Sequence, residues 1–196
     1  MKTLFLFISL YCYLPQSSFA SSILEVSINQ LVHKSASIVE GEVVSINPEM
    51  SIDGQIYTYV DFLILDTLSG SLNVGETITL RFTGGTANGL TLNIGSTIPS
   101  VGEHGIYFIE SINVPLMNPL YGWSQGHFRV QPNGHILAGN DQVVVGINNH
   151  STHEKSPMKT STGLAKGVIT RPNKATLSLP ITLDQFKSRI NDIKQK

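Results

Sequence analysis

The residues with the clearest potential for chemistry lie around Ser124. Gly122-Trp123-Ser124-Gln125-Gly126 matches the Gly-x-Ser-x-Gly pattern of a nucleophile elbow, and Asp141 and then His150 or His153 follow in the order that many hydrolases use. The elbow needs a strand-to-helix turn, which lifts the serine hydroxyl over backbone N–H donors. Here a proline-rich loop precedes the pattern and an alternating strand follows it. The sequence therefore favours a glycine-framed entry to a strand, and a serine hydrolase using Ser124 is the alternative.

His150 and His153 also form a His-x-x-His pair, with Glu154 directly after it. On a helix this spacing would place both imidazoles on one face, where they could hold zinc. The surrounding NNHSTHEKSP has no apolar periodicity, and Pro157 limits any helix. We predict a solvated polar loop and no metal site. No cofactor is expected either, because Gly84-Gly85 lacks the Lys and Ser/Thr of a phosphate loop.

Aromatic and basic side chains suggest a binding surface instead. Exposed rings can stack on sugars or anchor a protein partner, although they can equally fill an apolar layer beneath a helix. One tyrosine pair shares a strand face, an aromatic pair lies beside the proline-rich loop, and a His/Arg pair is expected on an outward strand face. The six candidates are Tyr57, Tyr59, Tyr121, Trp123, His127 and Arg129.

The segments that must position these residues read mostly as strands. Ser37–Ile46 is rich in β-branched residues and ends at Asn47-Pro48, a turn signal, and Asp53-Gly54 is a stronger turn signal. A long strand follows over residues 55–66, with Ile56, Val60, Phe62 and Ile64 on one face. Ile78, Leu80 and Phe82 then alternate with polar residues. Shorter strands are expected at residues 90–94, 105–109, 127–131, 135–138 and 142–147.

Two helices are predicted from capping boxes. Ser27 and Gln30 begin a short helix near the N-terminus, and Thr182 and Gln185 begin an amphipathic one near the C-terminus. Between the last strand and this second helix, residues 148–180 are polar and carry few apolar anchors, which predicts a flexible linker or long loop. No helical pattern separates the central strands, so we expect a mainly β fold. The predicted architecture is a small closed or partly open OB-like barrel over residues 21–147, with residues 181–196 docked on it as a helix.

The N-terminus reads as a signal peptide over residues 1–20. Lys2 precedes the apolar run LFLFISLYCYL, and Ser18-Phe19-Ala20 supplies small residues at a cleavage site. An anchor acylated at Cys12 is the alternative, but Tyr11 occupies the position where a small residue is usual. We therefore expect an exported protein, periplasmic or secreted.

Composition limits the function further. Cys12 is the only cysteine, so the predicted mature chain has no disulfide and depends on an apolar core. Removing Lys2 leaves 12 basic against 14 acidic side chains, which gives no electrostatic footprint for nucleic acid. After signal cleavage, no apolar run is long enough to span a membrane.

The order of segments resembles that of a broad group of exported bacterial β proteins without an assigned function. The similarity rests on INQLVHKS, ASIVEGEVVSI, LDTLSGS, VGETITLRFTGG, VGEHGIYFI and WSQGHFRV, and covers roughly residues 28–130. It implies an order of strands rather than an activity. A more distant likeness is to netrin-like barrels, including tissue inhibitors of metalloproteinases. Those inhibitors chelate zinc through an N-terminal cysteine, whereas the predicted mature chain begins at Ser21.

The sequence thus predicts a non-enzymatic exported protein that binds a protein or saccharide partner. Two alternatives remain open: the hydrolase described above, and an inhibitor or accessory factor of a secreted protease. The second of these comes only from the distant netrin-like resemblance.

Overall fold

The computed structural model describes residues 23–95, 97–148, 160–171 and 178–196. The predicted signal peptide and the two histidines His150 and His153 lie outside these residues. The mainly β fold is confirmed: ten strands and two α-helices follow one another along the described chain. The helices are α1 (Ile28–Lys34) and α2 (Leu183–Lys194). The strands are β1 (Ser37–Met50), β2 (Ile56–Ser69), β3 (Thr77–Thr83), β4 (Gly85–Ala87), β5 (Leu90–Leu92), β6 (His104–Ile109), β7 (His127–Val130), β8 (Ile136–Leu137), β9 (Val143–Ile147) and β10 (Val168–Arg171).

Eight strands form one antiparallel sheet in the order β10-β9-β8-β7-β6-β1-β2-β3, and β4 and β5 form a separate hairpin. The Asp53-Gly54 turn between β1 and β2 is confirmed. Gly54 has a φ of 81°, and its N–H donates to the Ser51 carbonyl at 2.9 Å. Both capping boxes are also confirmed, since Ser27 caps α1 and Thr182 caps α2 with reciprocal bonds from Gln30 and Gln185.

The sheet has two apolar cores, one on each face. The helix-side core holds both helices against β6–β10 and the start of β1, with Phe128, Phe186 and Ile190 fully buried. The opposite core lies inside the curl of β6, β1, β2 and β3 and includes Phe62, Phe82 and Tyr107; we call it the curl core. Strand β6 belongs to both cores because alternate side chains point to opposite faces. Its residues from Gly105 to Ile109 are all buried.

Glycine at position 105 makes room for the Tyr107 side chain. A Cβ atom there would lie 2.7 Å from the Phe128 carbonyl oxygen and 3.0 Å from Cζ of Tyr107. The Tyr107 ring therefore lies back along its own strand over Gly105. It meets Phe62 edge-to-face with centroids 4.7 Å apart. This contact fixes how β6 packs into the curl core.

Of the predicted closed or partly open barrel, the closed form is not observed: in the described chain, edge strands β3 and β10 do not pair with each other. An irregular segment, residues 117–121, bonds to strands on both sides of the curl. Glu110 N–H donates to the Pro119 carbonyl and Tyr121 N–H to the Phe108 carbonyl, both at 2.8 Å. Thr83 N–H of β3 donates to the Met117 carbonyl, also at 2.8 Å. The seam between β6 and β3 is thus bridged by loop rather than by strand.

Two other expectations differ from the structure. The prediction of a turn at Asn47-Pro48 was wrong, because β1 continues to Met50 and Pro48 pairs with Thr58. Strand β6 stops pairing with β1 at Glu42, so Pro48 lies where β1 has only one neighbour, a position that tolerates proline. Within the predicted linker, residues 160–171 add strand β10 and bury Ala165 and Val168.

Helix α2 is tied to the sheet by a partly buried charge cluster as well as by its apolar side. Lys187 forms ion pairs with Glu40 of β1 and, at 2.7 Å, with Asp66 of β2. Nε2 of His104 lies 2.6 Å from the other Glu40 oxygen. Burial lowers the pKa of Lys187, but its bonds to Asp66 and Glu40 outweigh burial and raise that pKa above its ordinary value. The ammonium therefore stays charged and bridges two strands to the helix.

We expect Gly105→Ala to lower the free energy of unfolding by about 1–3 kcal/mol, because the methyl group overpacks against backbone and the Tyr107 ring. Gly146→Ala in β9 is the matched control, since its Cβ would meet only Ile169, at 3.6 Å. The control should be neutral or stabilising by up to about 1 kcal/mol. Urea unfolding monitored by fluorescence measures both. Equal losses in the two variants would contradict the packing described for Tyr107.

Lys187→Met should cost about 1–3 kcal/mol, because Glu40 is buried and loses its cation. Arg189→Met, on the same helix, should change stability by no more than about 0.5 kcal/mol. Its side chain is 64% exposed and its ion pair with Asp192 is 4.0 Å long. Chemical denaturation of both variants compares the two. A loss at Arg189 as large as at Lys187 would show that the cluster does not fasten the helix.

Candidate functional site

The outer face of strands β2 and β3 presents two of the predicted binding residues. The pairing of β2 with β3 has no register shift and places Tyr57 opposite Thr83, Tyr59 opposite Arg81, and Asp61 opposite Thr79. Val60 and Phe62, the residues on either side of Asp61 in β2, are buried in the curl core. The odd-numbered side chains therefore lie together on the side away from that core, as the alternation in the sequence predicted.

Arg81 is the cation of this face. Its guanidinium carbon lies 4.3 Å from the centroid of the Tyr57 ring, a cation–π contact. Its Nε atom is buried and has no hydrogen-bond partner among the described residues. The other three arginines each have a polar partner: Arg129 pairs with Asp141, Arg171 donates to the Ser178 carbonyl, and Arg189 pairs with Asp192. Among the four arginines, Arg81 alone has no side-chain hydrogen bond or ion pair within the described chain, and no carboxylate there neutralises its charge.

Asp61, the nearest acidic residue along this face, is already engaged. It accepts hydrogen bonds from the hydroxyls of Ser45 and, at 2.6 Å, Thr79. These two bonds, with the one from Ser45 the stronger influence, hold the pKa of Asp61 below its ordinary value. The carboxylate thus joins β1, β2 and β3 across the face.

A cavity of about 320 Å³ lies beside β3 on this face. One wall is Tyr59 with residues 79–81, and the other is the loop of residues 111–119 that follows β6. Three apolar side chains of this loop are exposed: Ile112 by 38%, Val114 by 58% and Met117 by 55%. The loop is held by the Thr83–Met117 bond and by the Val114 N–H, which donates to Oγ of Ser111 at 3.0 Å. The cavity is large enough for a few side chains or a small ligand.

The other predicted binding residues are not brought to this face. Tyr121 packs against the helix-side core, and Trp123 lies in a 3₁₀ turn at Trp123–Gly126 with a φ of 59°. The prediction that His127 faces outward was wrong, because only 2% of it is exposed. Alternation predicted its strand face correctly, but it could not reveal that the curl core covers this face as well.

His127 instead forms a buried pair with a residue that the sequence did not single out. Its Nε2 lies 2.5 Å from Oε1 of Glu103, and its ring stacks on Tyr107 with centroids 5.2 Å apart. The Tyr107 hydroxyl lies 3.3 Å from the same carboxylate oxygen. Burial raises the pKa of this tyrosine, and the Glu103 charge raises it further, so the hydroxyl stays protonated. With so little of His127 exposed, this arrangement organises the core rather than contacting a substrate.

Opposing effects act on Glu103 itself. Burial raises the pKa of Glu103, but the hydrogen bond and charge of His127, a backbone bond at Ser100 and the charge of Arg129 outweigh it and hold the pKa below its ordinary value. The carboxylate is therefore ionised at neutral pH. The partner, His127, is the first residue of β7 and directly follows the 3₁₀ turn, so these two elements set its position.

The serine of the Gly-x-Ser-x-Gly pattern lies inside that 3₁₀ turn, and strand β7 follows directly. A single turn of helix therefore exists where we predicted none, but the strand-to-α-helix geometry of an elbow is not formed. The positive φ falls on Trp123 rather than on Ser124. In the described chain the Ser124 hydroxyl has no hydrogen bond to a histidine or to Asp141, which pairs with Arg129. His150 and His153 are not among the described residues.

The described residues contain no group of three or more His, Cys, Asp or Glu side chains suited to a metal ion. Among the helices that the structure describes, none has the length and apolar character needed to cross a membrane. Comparison with known proteins gave no matching family model, no matching curated protein and no matching solved structure.

Glu103→Gln tests the buried pair through pH. A carboxyl whose pKa is depressed by folding stabilises the fold above its unfolded pKa of about 4.3 and loses that contribution as the pH falls through its folded pKa. The variant should lose about 1–3 kcal/mol at pH 7, and its deficit should shrink toward pH 3.

Urea unfolding of wild type and variant from pH 7 to pH 3 measures this, with the exposed Glu110→Gln as the control. The control should follow the wild-type curve at every pH. A Glu103→Gln deficit that stays constant with pH would show that the charge of Glu103 does not stabilise the fold.

Proposed function

We propose that this protein is an exported, non-enzymatic binding protein that recognises a partner protein through the outer face of β2–β3 and the 111–119 loop. The observation that carries the proposal is Arg81, a cation with no carboxylate partner in the described chain, next to Tyr57 and the 320 Å³ cavity. Arginine and tyrosine are the residues that most often dominate binding energy at protein interfaces.

The surroundings of the cavity favour a protein partner over a saccharide. Exposed aliphatic side chains next to one another mark protein interaction sites, and the 111–119 loop exposes Ile112, Val114 and Met117. Sugar recognition depends on many fixed polar groups, whereas Asp61 is occupied by Ser45 and Thr79. The loop and β3 thus offer an apolar wall and one cation.

We further infer that the curled half of the sheet corresponds to a partly open, OB-like barrel whose seam is the 117–121 segment. The bonds from that segment to β6 and β3 support this relation. Export is inferred only from the signal peptide that the sequence predicts over residues 1–20. No contact in the described chain favours the hydrolase or the protease-inhibitor alternative.

The experiment compares two double variants in affinity capture from the periplasm and culture medium of the source organism. Tyr59→Ala/Arg81→Ala removes both side chains from the proposed site. Leu179→Ala/Arg189→Ala is the matched control, because it removes an apolar and an arginine side chain from a second cavity, of about 660 Å³, beside α2. Thermal unfolding establishes that both variants remain folded.

We expect one protein to be retained by the wild type and the control, and to be retained at least tenfold less by the site variant. Retention that is equal in all three proteins would contradict the assignment of this surface. Binding on a glycan array that the site variant loses, with no protein retained, would contradict the choice of a protein partner.

A further inference from the structure

The register of β3 determines which of its backbone groups face outward. Ile64 N–H of β2 donates to the Glu76 carbonyl at 2.8 Å, and Gly84 N–H donates to the Ile56 carbonyl at 2.7 Å. The even-numbered residues between Glu76 and Gly84 therefore bond to β2, since successive residues of a strand direct their N–H and C=O groups to opposite sides. The odd-numbered residues direct theirs to the outer edge. Thr83 confirms the pattern, because its N–H reaches Met117 on that side.

The two edges of the large sheet differ in how well they are protected. Natural sheets protect edges with short strands, bulges, prolines or lysines. At one edge, β10 has four residues and a register shift between Ile169 and Thr170. At the other edge, β3 has seven residues, pairs regularly with β2 and contains neither proline nor lysine. Within the described chain, β3 pairs with no strand other than β2. Apart from its one charged residue, Arg81, the β3 edge therefore lacks these protective features.

The cavity lies along the open part of this edge. Residues 79–81 line it from β3, and the 111–119 loop lines it from the other side. On this outer edge, the Thr83 N–H already donates to the Met117 carbonyl. The remaining outward-facing residues of β3 are Arg81, Thr79 and Thr77. A strand added there would lie about 4.8 Å from β3, as neighbouring strands do in any sheet.

We propose that the outer edge of β3 binds an extended segment of a partner protein as an additional strand, with an acidic side chain of that segment next to Arg81. The proposal rests on the function proposed above and specifies how the partner is held. In strand addition, backbone hydrogen bonds supply affinity and alternate side chains supply specificity.

The acidic residue follows from charge and register. A residue paired with Arg81 in an added strand has its side chain on the same face of the sheet as the guanidinium. A carboxylate there would provide the partner that Arg81 lacks. A second copy of this chain does not provide it through β3, because the strand sequence TITLRFT contains no acidic residue. Charge complementarity thus favours an acidic segment of a different protein over the pairing of two β3 edges.

The experiment selects heptapeptides from a phage-displayed random library on the purified full-length protein, after which the selected sequences are synthesised. Their affinities are measured by isothermal titration for Thr79→Pro and for its matched control Thr79→Ala. Both variants lose the hydroxyl that bonds to Asp61, but only proline removes the outward N–H and fills its place. Proline is tolerated at an outward-facing edge position, and circular dichroism verifies that each variant is folded.

We expect peptides that carry an Asp or Glu at a fixed position. Their affinity should be at least tenfold lower for Thr79→Pro than for Thr79→Ala, because both variants lose the hydroxyl and only proline loses the outward N–H. Replacing the acidic residue by its amide should weaken binding at least tenfold to the wild type and much less to Arg81→Ala. N-methylation along the peptide should abolish binding at alternate positions only, a readout that uses wild-type protein and does not depend on how the proline variant folds.

Three results would overturn the proposal, and they separate it from the proposed function. Peptides whose binding is lost in Tyr59→Ala/Arg81→Ala but survives both Thr79→Pro and N-methylation would leave the binding face in place and exclude strand addition. If the wild type forms concentration-dependent dimers and Thr79→Pro is monomeric, the edge binds a second copy of this chain instead. A library from which no peptide is enriched would contradict strand addition, whereas the affinity capture described above tests the binding face independently.

Discussion

Strands β1 and β6 have buried side chains on both faces, and the rest of the architecture depends on this pair. One face belongs to the helix-side core and the other to the curl core, so the sheet must curl away from the helices on one side of the pair. Gly105 allows this because its missing Cβ gives the Tyr107 ring a place against the strand. The Glu103–His127 pair then orders the neighbouring strand, since the carboxylate and the buried imidazole are bonded to each other in this arrangement.

The division into two cores also explains where a binding surface remains. In the described chain, both helices lie against β6–β10 and the beginning of β1, and Lys187 fastens α2 to β1 and to the end of β2. Strand β3 and the first half of β2 bury one face in the curl core, whereas α2 contacts β2 only near its end, at Asp66 and Leu68. Their outer face therefore keeps Tyr57, Tyr59 and Arg81 accessible, next to a loop with exposed apolar side chains. The surface is a consequence of the fold, whereas its charge and aromatic content come from those particular residues.

Period-two patterns and capping boxes predicted most strands and both helix starts, because both are local properties. The tyrosine pair on β2 was predicted for the same reason. The burial of His127 was not predictable, since alternation assigns a side chain to a face but does not tell whether another layer covers it. The Glu103 partner, the continuation of β1 through Pro48 and strand β10 depend on pairing between distant segments. Arg81 stands out because it lacks a carboxylate partner in the described chain, and only the three-dimensional arrangement reveals this.

The availability of the β3 edge is the claim on which the functional account rests, and residue-resolved amide hydrogen exchange by NMR tests it directly. For the protein alone, the account predicts slow exchange at Ile78, Leu80 and Phe82, which bond to β2, and also at Thr83, which bonds to Met117. It predicts fast exchange at Thr77, Thr79 and Arg81. Slow exchange at these three amides as well would mean that another part of the molecule already covers the edge, and would contradict the account.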